Sequence, residues 1–80
     1  MAAFVYVLLS KKKPKRTYVG WTLDLERRLE QHNGGTGAKF TRGQAWILIY
    51  AERHRTRNGA MRREAALKRD RAFRALLRGS

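Results

Sequence analysis

The sequence predicts a small α/β fold, a three-stranded, mainly antiparallel sheet flanked by helices. Three observations predict it. Two runs rich in β-branched and aromatic residues, 4–9 and 15–21, flank a basic stretch that contains Pro14, the pattern of a β-hairpin. A third apolar run, 45–51, stands apart from them. Between and after these runs, apolar residues recur at three- and four-residue spacing, the period of helices packed along one side. Eighty residues, 42% of them hydrophobic, make one domain's worth of chain with enough apolar material for a core. No repeat or linker divides the chain, so one domain over residues 1–80 is expected.

In order along the chain, FVYVLL (4–9) is the first strand and KRTYVGW (15–21) the second, with the turn near Lys11–Pro14. A turn centred near Lys12 sets Tyr6 and Tyr18 about opposite one another on one face, where cross-strand Cβ atoms lie ~5 Å apart. Thr22 offers the N-cap of a helix over 23–33, with Asp24 and Glu26 in the first turn, where carboxylates suit the helix dipole. Asn33-Gly34-Gly35 ends it. The glycine-punctuated GGTGAKFTRG has room for one short helix around Ala38–Arg42. AWILIYAE is apolar on both faces, which predicts a central strand covered on each side. Thr56 or Asn58 then caps an Arg- and Ala-rich helical stretch from about 59 to 78, read as one helix or two. Trp21, Phe40, Trp46 and Phe73 are expected in the core or in the wall of a cleft, and His54 at the surface.

Charge narrows the partner class. Nineteen Lys and Arg against six Asp and Glu give a net charge of +13. Such a surface repels itself unless a polyanion is present, and nucleic acid absorbs the charge through counterion release. Lys11, Lys12, Lys13, Lys15 and Arg16 form one basic cluster with no acid before Thr22, and Lys39 and Arg42 add to it as candidate nucleic-acid contacts. The same turn also reads as a merely solvated loop. The absence of cysteine excludes disulfides, thiolate zinc sites and cysteine nucleophiles. The longest apolar runs fall far short of the ~20 residues that span a bilayer. The first of them is followed, not preceded, by positive charge, unlike a signal peptide. The late amphipathic helix carries mostly Ala on its apolar side, which argues against a membrane partner. A cytoplasmic protein is expected.

Helical projection picks out which charged residues face inward. Taking Leu25 as reference at 100° per residue, Leu29 falls at about 40°, His32 at about 340° and Arg28 at about 300°, while Arg27 points away at about 200°. Arg28 and His32 are i,i+4 neighbours bordering the apolar side, close enough to act on one ligand. They could equally be a snorkelling arginine and a packed helix-end ring. In the late helix Glu64 sits in the apolar stripe with Ala60 and Leu67, and a carboxylate there needs a cationic partner. Two readings stay open, an ion pair with an arginine or a metal bound at a cleft.

FVYVLL, TYVG, DLERRLEQHNGG and AMRREAALKR, in this order and spacing, resemble the GIY-YIG nuclease family. The resemblance covers residues 4 to about 78. Its nearest likeness is to the compact stand-alone bacterial proteins of the YhbQ-like group, and more distantly to the nuclease domains of UvrC and the Slx-type endonucleases. Phe4 stands where the first motif would have glycine, and no asparagine follows Asn58. The resemblance implies that Tyr6 and Tyr18 are the motif tyrosines, Arg28 the catalytic arginine, His32 the histidine or tyrosine one turn later, and Glu64 the metal ligand.

The activity implied by the resemblance is that of a metal-dependent endonuclease, which hydrolyses phosphodiester bonds, in DNA first and RNA second, in a structure-directed manner. The implied cofactor is Mg²⁺ (or Mn²⁺). A protein partner that supplies substrate targeting is expected, since so small a chain has little surface with which to choose a substrate. The alternative is a non-catalytic basic nucleic-acid-binding module on the same fold.

Overall fold

The computed structural model describes residues 2–34 and 45–79. Three strands, β1 (Ala3–Ser10), β2 (Thr17–Thr22) and β3 (Trp46–His54), form one sheet in the order β2-β1-β3, antiparallel throughout. The helices are α1 (Leu25–Asn33), α2 (Arg57–Arg69) and α3 (Arg71–Arg78). This is the α/β fold with a three-stranded antiparallel sheet that the sequence predicts.

The central strand is β1, not the later apolar run. All but one of its residues are buried, because each face carries a helix. Ala3, Val5 and Val7 pack with Val19 against Ala60 and Leu67 of α2, joined by Trp21, Tyr50 and Phe73. Tyr6 and Leu8 face the other way and pack with Trp46, Tyr18, Leu25 and Leu29, the side covered by α1. β3 is an edge strand, and Ile47 and Leu48 are exposed. Its double-sided apolarity misleads because the register slips between Val7 and Leu8, which pair with Tyr50 and Leu48 and leave Ile49 as an extra residue. The slip returns alternate residues of β3 to the sheet face after one irregularity.

Two further expectations are corrected. The hairpin pairs Tyr6 with Gly20 and Leu8 with Tyr18, so the two tyrosines are diagonal neighbours on one face and not directly opposite. The turn is therefore centred nearer Lys13 than Lys12, and Ser10 fixes it. The Ser10 N–H donates to Arg16 O at 2.9 Å, and the Arg16 N–H donates to Ser10 Oγ at 2.8 Å. Helix α1 is capped by Asp24, whose Oδ1 accepts from the Arg27 N–H at 3.1 Å. Thr22 instead ends β2, its hydroxyl accepting from the Asp24 N–H. The late helical stretch forms two helices, one of the arrangements the sequence allows. Thr56 caps α2, its Oγ1 accepting from the Gly59 N–H at 3.0 Å. Asp70 then breaks the run and caps α3, its Oδ1 accepting from the Phe73 N–H at 3.0 Å. The short helix expected around Ala38–Arg42, and with it Phe40, lies outside the described residues.

Candidate active site

The polar residues that face α1 gather around one phenol. Tyr6 projects from the middle of β1 and is 2% exposed. Its Oη lies 2.8 Å from Nε2 of His32, itself fully buried in the last turn of α1. Gly20 makes this reach possible. A Cβ at that position would stand 2.6 Å from Tyr6 Oη and 2.7 Å from its Cζ, so only a residue without a side chain lets the ring lie across β2. Tyr18, half-buried, closes the group, its ring centroid 6.4 Å from that of Tyr6 and 4.9 Å from that of His32. Trp46 packs edge-on to Tyr18 at 6.4 Å.

Arg28 lies on the same side of α1, half-buried, and its Nη1 donates to Gln31 Oε1 at 3.0 Å. Its guanidinium is near enough to act on both buried rings. Burial pushes the Tyr6 phenol up to about 12, outweighing Arg28, which pulls it down, while the neighbouring Tyr18 and the Glu64 carboxylate add to the rise. Burial, aided by the charge of Arg28, holds His32 below the ordinary imidazole value. The pair is thus a protonated phenol against a neutral imidazole. Desolvation dominates, so these surroundings do not favour a Tyr6 phenolate.

Glu64 comes from α2 on the other face of the sheet and is 22% exposed. Its negative charge adds to the rise of the Tyr6 phenol. Among the described residues its cationic partner is Lys68, with Nζ 3.6 Å from Oε2, and not an arginine. Among the described residues no group of three His, Asp or Glu side chains comes together. Glu64 is therefore a one-carboxylate donor set, which suits a hard cation that keeps most of its ligands as water and phosphate. Of the basic cluster, Lys11, Lys12, Lys13, Lys15 and Arg16 are exposed on the β1–β2 turn, and Arg16 is two residues from Tyr18. Lys39 and Arg42 lie outside the described residues.

The sequence reading passes over a second polar cluster. Glu52, inward-facing on β3, accepts from Arg63 Nε at 3.0 Å with both oxygens, contacts His54 Nε2 at 3.0 Å and accepts from the Tyr50 hydroxyl. Burial pushes its carboxyl up, but the hydrogen bonds from Arg63, Tyr50 and His54 and the Arg63 charge outweigh this and hold it at about 2. His54 is thus tied into an ion-pair network, 26% exposed, where a free surface residue is expected. The signal in the sequence is the period-two run Tyr50, Glu52, His54, which puts an acid between two hydrogen-bonding rings on one strand face. Asn33 is also unforeseen. Its side chain accepts from the Trp46 N–H at 2.7 Å and donates to Trp46 O at 3.1 Å, joining the end of α1 to the start of β3.

The hairpin thus bears Tyr6 and Tyr18, α1 bears Arg28 and α2 bears Glu64. The sequence model of the GIY-YIG catalytic domain matches residues 2–75, and the chain belongs to the GIY-YIG family. Within it, the chain is similar to proteins of the UPF0213 group. It is 42% identical to a UPF0213 protein of Clostridium perfringens over 65 residues, 80% of this chain and 70% of that one. It is 39% identical to one of Natronomonas pharaonis over 69 residues, 85% of this chain and 81% of that one. The solution NMR structure of a UPF0213 protein from Bacillus halodurans superposes with a TM-score of 0.55 at 34% identity, covering 96% of this chain and 82% of that one. No helix among the described residues is long and apolar enough to cross a membrane.

Proposed function

We propose that this protein is a metal-dependent endonuclease that hydrolyses phosphodiester bonds by water, with structured DNA as its first substrate class and RNA as its second. The observation that supports this most directly is the buried Tyr6–His32 hydrogen bond of 2.8 Å, flanked by Tyr18 and by the Arg28 guanidinium. A phenol joined to a neutral imidazole is a ready proton path, and a guanidinium beside it is a phosphate clamp.

Arg28 would hold the non-bridging oxygens of the scissile phosphate, its hydrogen bonds strengthening as negative charge builds in the transition state. A phosphate against Arg28 also cancels part of the charge that depresses His32, so the imidazole becomes a better proton acceptor once substrate is bound. Tyr6, protonated at rest, then takes the proton of the attacking water at Oη as it passes its own to His32 Nε2. His32 is fully buried and so acts through Tyr6 as a positioning and relay residue, while half-exposed Tyr18 orients the water. Glu64 would hold Mg²⁺ or Mn²⁺ with water and substrate phosphate completing the shell. When bound, the ion supplies Lewis acidity that stabilises the leaving 3′ oxygen. The exposed Lys11–Arg16 turn contacts the flanking backbone, which fixes position without reading bases, so a partner protein supplies targeting.

Nicking of supercoiled plasmid with and without Mg²⁺ tests the reading. Glu64→Ala abolishes Mg²⁺-dependent nicking and leaves nucleic-acid affinity near normal. Arg28→Ala loses about 2–4 kcal/mol of transition-state stabilisation, as for comparable oxyanion donors. Variants that both cut like the parent would overturn this site. The Glu64–Lys68 pair favours a second reading, a non-catalytic nucleic-acid-binding module in which Glu64 is structural. Salt-sensitive binding by a parent chain that never nicks with Mg²⁺ decides for it.

A further inference from the structure

We propose that Lys68 is an internal counter-ion for Glu64, holding the carboxylate until a divalent cation and a phosphodiester arrive, and then turning to the phosphate. This rests on the reading of Glu64 as the cation ligand. Glu64 and Lys68 stand one turn apart on α2, with Nζ 3.6 Å from Oε2. The two partners differ in freedom. The Glu64 side chain is 22% exposed and the Lys68 side chain 55%, so packing holds the acid in place and the lysine is the member able to move.

The chemistry of the pair makes exchange the expected behaviour. A lone carboxylate in the flank of a helix is costly without a positive charge beside it. Lys68 meets that need when no metal is bound. An ammonium and a dication cannot share one carboxylate at close range without repelling each other, and the doubly charged ion is the stronger partner. The displaced ammonium sits on a flexible four-carbon stem beside the group that would bring in the scissile phosphate, and a phosphate oxygen is its natural next partner. A Glu–Lys pair at this spacing contributes too little to helix stability to explain an acid in the apolar stripe. Its consequence lies in what it does to the carboxylate.

Two measurements test this. The first is an Mn²⁺ titration monitored by electron paramagnetic resonance, without nucleic acid, on the parent chain, Lys68→Met and Glu64→Gln. Lys68→Met is expected to bind Mn²⁺ about two- to fivefold more tightly, the scale of an i,i+4 ion pair together with the loss of a neighbouring like charge. Glu64→Gln is expected to lose the site. Unchanged or weaker Mn²⁺ binding by Lys68→Met overturns the counter-ion role, whereas Mn²⁺ binding that survives Glu64→Gln overturns the underlying assignment of the ligand.

The second measurement is the salt dependence of affinity for a DNA duplex, in Ca²⁺ and in EDTA. Lys68→Met is expected to flatten the log–log slope by about 0.9 in Ca²⁺, the value of one phosphate contact, and to leave it unaltered in EDTA, where the lysine is engaged by Glu64. An equal change in both conditions makes Lys68 an ordinary surface contact, and no change in either removes the phosphate role. Each of these two outcomes refutes the exchange.

Discussion

Gly20 and Tyr6 together show how one residue's missing atoms position another's functional group. In a strand, Gly→Ala ordinarily gains stability, because it removes freedom from the unfolded chain. Here the added methyl meets the Tyr6 phenol at 2.6 Å. Gly20→Ala is therefore expected to cost about 1–3 kcal/mol in urea unfolding, the scale of overpacking, and to slow nicking by moving Oη from His32. A stabilised Gly20→Ala chain would mean that the close approach is not kept in solution. Titration gives a second expectation with a definite sign. The folded state holds His32 below its ordinary value, so its contribution is present above pH ~6.5 and is lost as pH falls below that. Glu52 is held at about 2 against its usual 4.5, so its contribution, on the order of 3 kcal/mol, persists above pH 4.5 and disappears between there and about 2. Urea midpoints measured from pH 8 to pH 2 should fall in these two steps, and Glu52→Gln should remove the lower one.

At the scale of elements, much of the outline is legible in the sequence and its edges are not. The hairpin, the helix carrying Arg28 and His32, and the helix carrying Glu64 all follow from apolar spacing, and the projection that turns Arg28 and His32 inward agrees with their half-buried and buried states. Apolarity on both faces cannot rank strands, however, because Ala45–Ala51 and Phe4–Leu9 look alike until pairing decides which lies between the others. The break at Asp70 is hidden because Arg and Ala favour helix on both sides of it, and one short acidic residue both ends α2 and caps α3. Asp70→Ala removes that cap. Expected are a loss of about 1 kcal/mol and earlier hydrogen exchange in α3 than in α2. The Glu52–Arg63 contact is illegible for another reason. It joins residues eleven positions apart in different elements, and no spacing rule reaches across a strand–helix connection.

For the whole molecule, the excess of thirteen positive charges sets the terms of any encounter with nucleic acid. The exposed turn concentrates five of them beside the Tyr18 end of β2. Replacing Lys11, Lys12, Lys13, Lys15 and Arg16 by Gln should reduce the salt slope of DNA binding by up to about 4.5 and weaken all sequences alike. The fold should be unaffected, since Ser10 holds the turn through the backbone N–H and carbonyl of Arg16. A slope that stays the same would place the phosphate-binding surface elsewhere. The Asn33 bridge has a different kind of consequence. It grips both the N–H and the carbonyl of Trp46, thirteen positions along the chain, and so ties the end of α1 to the start of β3. The helix that bears Arg28 is thereby held in register with the sheet.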